Sequence, residues 1–186
     1  DTSALHHCHR CLQMAASFPS HADLLVLDCG SGGTRVWRQL GEGAVQRVNW
    51  PEGRAPVLSA ALRTPEGRDT FAQGILQLGC CCFIGATAGL RHALDVGDLT
   101  SEDLSAMIAL LPDGCELKIL TPLEEARYEL QAMRSHCEPS DGMVSMGGKS
   151  MQIACGDALY SLPFSMHLGV VLLHDDVVGG SGGGSG

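Results

Sequence analysis

A mixed α/β domain, with a sheet that opens as an antiparallel meander and carries helices on both faces, is what this sequence predicts. Three observations carry the prediction. The apolar run Leu24–Leu27 ends at Asp28 and a glycine cluster, and two further short β-like runs follow across turns. From Pro56 onward, helical patterns alternate with short apolar runs, the arrangement of βα units. Hydrophobic residues make up 45% of the chain against 18% charged, enough apolar material for one packed core.

Leu24 to Asp28 reads as a buried strand, Gly30 to Gly33 as a tight turn, and Thr34 to Leu40 as a returning strand. The Gly41–Gly43 turn leads to a third strand near Val45–Val48. A helix follows from about Pro56, is interrupted or restarted at Pro65-Glu66, where proline suits a first turn, and runs to Leu78. Cys81 to Gly85 is the next strand and Ala88 to Leu94 a short helix. Thr100-Ser-Glu-Asp103 supplies an N-cap and acidic first turn for a helix through Leu111. Glu116 to Leu120 is a strand. Leu123 to Arg134 is a helix with Glu124 and Glu125 at its positive end. Met143–Met146, Met151–Cys155 and Leu159–Leu162 complete the order as three more strands.

The flanks differ from this pattern. Residues 1–22 form an expected Cys/His-containing arm, in which Cys8 and Cys11 with His6, His7 and His9 have zinc-ligand chemistry but no second ligand pair at finger-like spacing. A disulfide or a surface arm accounts for them as well. Residues 23–176 are expected to be one lobe, and 177–186 a Gly/Ser tail or linker. The chain begins at Asp1 without Met, which reads as a processed product or an excerpt. With nine cysteines, an odd number, that start weakly favours a secretory, lumenal or organellar compartment.

Composition also narrows the partners. A net charge of −9 repels a polyanion, so nucleic acid is not expected, and 4% aromatic residues leave little for base stacking. A small phosphate ligand needs only a local patch of donors. Thr70 to Leu90 carries no charge over 21 residues, long enough to cross a bilayer. It contains Gln73, Gln77 and four glycines, however, and reads better as a helix followed by a buried strand. The apolar run Leu168–Leu173 is too short to span, so no transmembrane segment is expected.

Chemistry concentrates in three signatures: Asp28-Cys-Gly-Ser-Gly-Gly-Thr-Arg35, Gly85-Ala-Thr-Ala-Gly-Leu-Arg91 and Gly147-Gly-Lys-Ser-Met-Gln152. Each puts glycine and hydroxyl residues beside an apolar run, which is how backbone N–H groups are aimed at phosphate. The first resembles the opening signature of the apyrase, or GDA1/CD39, family of nucleoside tri- and diphosphate hydrolases, usually Asp-Ala-Gly-Ser-Ser-Gly-Thr-Arg. The second is similar to that family's second signature. Gly147-Gly-Lys-Ser-Met-Gln-Ile153 is similar to its fourth, Gly-Gly-Ala-Ser-Thr-Gln-Ile, and Leu123-Glu-Glu-Ala-Arg-Tyr128 resembles its third. Exopolyphosphatases share the actin-like, ribonuclease H-like fold that the resemblance implies. Ala-Thr-Ala-Gly-Leu-Arg favours apyrases over them.

The resemblance implies a divalent-metal-dependent hydrolase, with Mg²⁺ or Ca²⁺ if active. Ser31, Gly32, Gly33, Thr34 and Arg35 would hold a terminal phosphate, as would Thr87 and Arg91, and Gly147, Gly148, Ser150 and Gln152. Asp28 would orient a hydrated cation and Glu125 would be the general base. Simpler readings stand beside these: a Gly-Gly hairpin turn, a capping Asp28, a solvated Arg91, and two glutamates that only complement a helix N-terminus.

The chain departs from the family at Ser145, where apyrases carry a second metal-directed Asp, at Pro122 and Leu123, and at Lys149. Lys149 either contacts phosphate, fills the site, or is a surface lysine. Apyrases also bind nucleotide between two lobes, and this chain is expected to supply one. Two readings result: an apyrase-like phosphohydrolase lobe, degenerate or weakly active alone, or a non-catalytic actin-like subunit of a larger complex. In either, a protein partner is expected on the face where a second lobe would dock.

Overall fold

The computed structural model of the chain describes residues 24–40, 44–79, 82–136, 142–155 and 158–163. The expected N-terminal arm, the Gly/Ser tail and the Leu168–Leu173 run lie outside them. Strands β1 (Leu24–Gly30), β2 (Gly33–Leu40) and β3 (Ala44–Val48) form the antiparallel meander, as the glycine-punctuated sequence predicts. Strands β4 (Cys82–Ala86) and β5 (Glu116–Ile119) add in parallel on the other side of β1. The five-stranded order is β3-β2-β1-β4-β5. The fold is therefore mixed α/β, with β1 at the centre and buried from Leu24 to Cys29.

Parallel strands require crossovers, and helices supply them. Between β3 and β4 lie a single turn α1 (Leu58–Ala61) and the longer α2 (Pro65–Leu78). The break at Pro65 is a true restart: the Thr64 side chain accepts from the Gly67 N–H at 3.0 Å, with proline in the first turn where its missing N–H costs nothing. Gly79 closes α2 in the left-handed conformation at φ 71°. Helices α3 (Ala88–Asp95) and α4 (Ser101–Leu110) then lead to β5. The Thr100/Asp103 pair makes the reciprocal capping box at the start of α4.

One face of the sheet presents Leu25, Leu27, Val36 and Ile84 to Leu58 and Leu62, Phe71 and Ile75 of α2, Leu90 of α3 and Met107 of α4, all buried in one cluster. The alternation of strand side chains sends Val26, Asp28 and Phe83 to the opposite face. Thr70–Leu90 thus resolves into α2, a left-handed glycine and β4. Among the described residues no helix is long and apolar enough to cross a membrane.

The last three strands do not extend this sheet. Strands β6 (Gly142–Met146), β7 (Ser150–Cys155) and β8 (Ala158–Pro163) form their own antiparallel sheet, with Val144, Ile153 and Tyr160 in register and Met146, Met151 and Leu162 in the next row. Helix α5 (Pro122–His136) packs against β7 and β8, burying Ala126, Leu130 and Ala132. It thereby carries the chain from the first sheet to the second.

Gly74 is where α2 meets the core most closely. A Cβ there would lie 2.0 Å from Cζ2 of Trp50, whose buried ring also packs against Phe71 with centroids 5.3 Å apart. In an open helix Gly→Ala stabilises by about 1 kcal/mol, but a buried indole cannot yield and overpacking costs about 1–3 kcal/mol. Gly74→Ala is expected to lower Tm by roughly 3–6 °C in thermal unfolding, the net of those two effects for a chain of this size. In a Trp50→Leu background the same substitution should become neutral or stabilising.

Candidate functional site

The two glycine-rich hairpin tips face each other. Ser31 and Gly32 turn β1 into β2, with Gly30 and Gly33 as the last ladder pair. Gly147, Gly148 and Lys149 turn β6 into β7, closed by the Gly147 N–H donating to the Ser150 carbonyl at 2.8 Å. A Cβ on Gly148 would stand 2.6 Å from Ser31 Oγ, and a Cβ on Gly89, in the first turn of α3, 2.7 Å from Ser31 Cα. Two segments, 58 and 117 residues further along the chain, therefore close on one serine. The missing side chains at positions 89 and 148 permit it.

A cleft of about 590 Å³ opens between the tips. Of the residues singled out from the sequence, Asp28, Ser31, Gly32, Gly33, Thr34, Arg35, Thr87, Glu125, Gly147, Gly148, Ser150 and Gln152 all border it. Arg91 does not. Its guanidinium holds the Leu120 carbonyl and lies 2.8 Å from Oε2 of Glu125, behind the cleft wall.

Local pairing fixes most of these side chains. Asp28, 3% exposed, takes Arg35 at 3.1 Å directly across the β1/β2 ladder. The Thr34 hydroxyl donates to the Pro56 carbonyl at 2.6 Å and the Thr87 hydroxyl to the Cys29 carbonyl at 3.2 Å, so both protons serve to lock the walls. In the second sheet, the buried Gln152 amide donates to Ser150 Oγ at 2.8 Å. The Ser150 oxygen is then an acceptor within the protein, and its own proton is left to seek another. Thr87 and Ala88 at the start of α3 also border the cleft, where first-turn N–H groups have no intrahelical acceptor and favour an anion.

The two adjacent glutamates of α5 separate cleanly. Glu124 accepts from the Thr121 backbone N–H at 2.9 Å while Thr121 Oγ1 receives the Glu124 N–H at 3.2 Å, a capping box, and Lys118 pairs with Glu124 at 2.9 Å. Glu125, 5% exposed, turns into the cleft. Hydrogen bonding from Thr121 and then Lys118 holds the Glu124 carboxyl down at about 2.

Arg54 and Arg47 border the cleft without belonging to any signature. Arg54 donates to the Gly32 carbonyl at 3.1 Å, which brings its charge over the first loop. The cleft thus carries four cations, Arg35, Arg47, Arg54 and Lys149, against the carboxylates Asp28, Glu125 and Glu129. In a chain of net charge −9, the cleft gathers slightly more cations than carboxylates.

Known proteins agree with this architecture. The chain aligns with an exopolyphosphatase from Cytophaga hutchinsonii at a TM-score of 0.51 and 12% identity, covering 82% of this chain and 54% of that one. A type II Ppx/GppA phosphatase of Aquifex aeolicus gives 0.53 and 19% identity over 83% and 55%. Another Aquifex aeolicus member of that family gives 0.52 and 18% over 78% and 52%. The fold is actin-like. These identities establish the fold alone, and the chain spans about half the length of each neighbour. No family model matches the chain, and neither does any curated protein.

Two outcomes are expected at this site. Gly148→Ala meets only the tip of a small side chain, which can turn, whereas Gly89→Ala meets the Ser31 backbone. In denaturant unfolding Gly89→Ala should cost more, and Ser31→Gly should rescue Gly148→Ala but not Gly89→Ala. The second outcome concerns Glu124. Its folded pKa lies below the ordinary 4.5, so its contribution is full above that value and is lost as pH falls toward about 2. Glu124→Ala should cost about 1 kcal/mol at pH 7, the size of a cap, in urea unfolding. The difference from the native chain should shrink steadily between pH 4.5 and 2.

Proposed function

We propose that this chain supplies the phosphate-binding and water-activating part of an apyrase-like phosphohydrolase, acting on the terminal phosphate of a nucleoside tri- or diphosphate. The observation that carries the proposal is the convergence of both glycine loop tips with buried Asp28 and Glu125 on one cationic cleft. The capping-box position of Glu124 supports Glu125, not its neighbour, as the general base. The two-sheet arrangement supports reading β6–β8 as the opening meander of a second wall. The remaining length of a two-lobed enzyme would then come from outside the described residues.

Chemically, Glu125 would take a proton from a water in line with the phosphorus as the new P–O bond forms and the bond to the leaving phosphate breaks. Arg91 orients Glu125 by holding one of its oxygens and anchoring itself on the Leu120 carbonyl. The loop N–H groups and the Ser150 proton face the phosphoryl oxygens, and the surrounding cations offset their charge. Phosphate N–H cradles of this type are preorganised, so they need no rearrangement when charge develops.

A divalent cation fits this donor set in one way. No cluster of three or more His, Cys, Asp or Glu side chains suited to a metal occurs among the described residues. Hydrated Mg²⁺, however, needs only one or two carboxylates together with substrate phosphate. Asp28 would hold it through water, with Ser145 contributing a hydroxyl where a second carboxylate is the usual partner. The ion would supply charge neutralisation for the phosphates. The weaker donor set supports slow turnover.

Phosphate release from ATP, ADP and inorganic polyphosphate in Mg²⁺ or Ca²⁺ tests the reading, with equilibrium ATP binding measured alongside. Glu125→Gln is expected to reduce release by roughly 10²–10⁴-fold, the usual contribution of a general base, while binding changes little. Ser145→Asp should raise turnover and sharpen its dependence on the metal. Release confined to polyphosphate would overturn the nucleotide assignment. No release from any substrate by either the native chain or Ser145→Asp would overturn hydrolysis, and absence of binding would overturn the phosphate cleft itself.

A further inference from the structure

Away from the cleft, two cysteines are brought together by strand register. Cys82 opens β4 and Cys115 immediately precedes β5. These strands are parallel neighbours with Phe83 opposite Glu116, so the next pair outward is Cys82 with Cys115. Both side chains face the same way: Cys82 is fully buried in the main cluster, and Cys115 packs partly buried against it. Adjacent strands lie about 4.8 Å apart, within the roughly 4.4–6.8 Å Cα separation that a disulfide spans.

We propose that Cys82 and Cys115 form a reversible disulfide that fastens the edge strand β5 to β4. Hydrogen bonding from Cys82 lowers the Cys115 thiol from 9.0 to about 7. The solvent-reachable member is therefore the nucleophile, and the buried member resolves. Cys29 offers the contrast: it is wholly buried, its pKa is pushed up by desolvation, and it pairs with Ala86 at the other end of β4. A thiol in that position is inert.

The oxidant is a low-molecular-weight disulfide such as glutathione disulfide. The Cys115 thiolate attacks one of its sulfurs, breaking that S–S bond, forming a mixed disulfide and releasing one small thiolate. Cys82 loses its proton and attacks Cys115 Sγ, expelling the second small thiol. Two protein thiols lose two electrons and two protons, and the small disulfide is reduced to two thiols. The closed bridge spans 33 residues of sequence, including α3 and α4, and so removes freedom chiefly from the unfolded chain. It also pins the strand that leads to Leu120, the carbonyl on which Arg91 is anchored.

The test equilibrates the whole chain in glutathione buffers of stepped ratio, blocks thiols by alkylation, and maps tryptic peptides by mass spectrometry. The expected product is a dithiothreitol-sensitive cross-link between residues 69–91 and 92–118, two hydrogens lighter than the separate peptides. The cross-linked form should also have a Tm several degrees above the reduced form. Because Cys80 and Cys81 share the first peptide, a Cys80→Ala/Cys81→Ala variant must keep the cross-link, whereas Cys115→Ser must lose both it and the Tm shift. Failure of the native chain to cross-link these peptides in the oxidising buffers would overturn the proposal. Loss of the cross-link in the Cys80→Ala/Cys81→Ala variant would also overturn it.

Discussion

The cleft depends on how closely three backbone segments crowd around Ser31. A Cβ at position 89 would fall 2.7 Å from its Cα and one at position 148 only 2.6 Å from its Oγ. A side chain at position 89 would hold the start of α3 off the first hairpin tip, and one at position 148 would force the Ser31 hydroxyl aside. Under the proposed function, the spacing of the phosphate donors depends on that close approach. Close approach of backbones is a property that only glycine can confer, and here it is used at the single point where both sheets and a helix start meet.

Around that point the polar groups are arranged in pairs that restrain one another. Asp28 is held by Arg35 across the ladder, Thr34 and Thr87 tie loops to carbonyls, Gln152 supports Ser150, and Arg91 braces Glu125. Few of these contacts point into the cleft. Their effect is to remove freedom from the groups that do, which is what preorganisation requires.

Much of the first sheet was legible in the sequence, because each signal was local. Glycine turns punctuate β1, β2 and β3, Thr100 announces a helix start, and the Pro65 restart lies where proline is tolerated. Element ends shifted by a residue or two, as with β4 ending at Ala86 instead of Gly85. The sheet that β6, β7 and β8 would join was not legible, since alternation specifies a face and not a neighbour. At the site, the residues inside signatures could be found. Arg47, inside β3, and Arg54 could not, because nothing in the spacing of an isolated arginine says that it will border the cleft, or that the turn after β3 will carry Arg54 over the Gly32 carbonyl. Arg91 illustrates the other limit: its signature was visible, but its attachment to Glu125 is a tertiary fact, made between residues 34 positions apart.

Helix α5 connects these observations in a mechanical sense. Its first turn carries Glu125, clamped to Arg91 of the first sheet's helices, and its remaining length is seated on β7 and β8. It works as a shaft with one bearing in each half. The hairpin tips that already meet at Ser31 are thereby tied to the same helix that carries Glu125. Under the proposed function, one helix then sets both the spacing of the phosphate loops and the position of the general base, so a change that tilts α5 disturbs the two together.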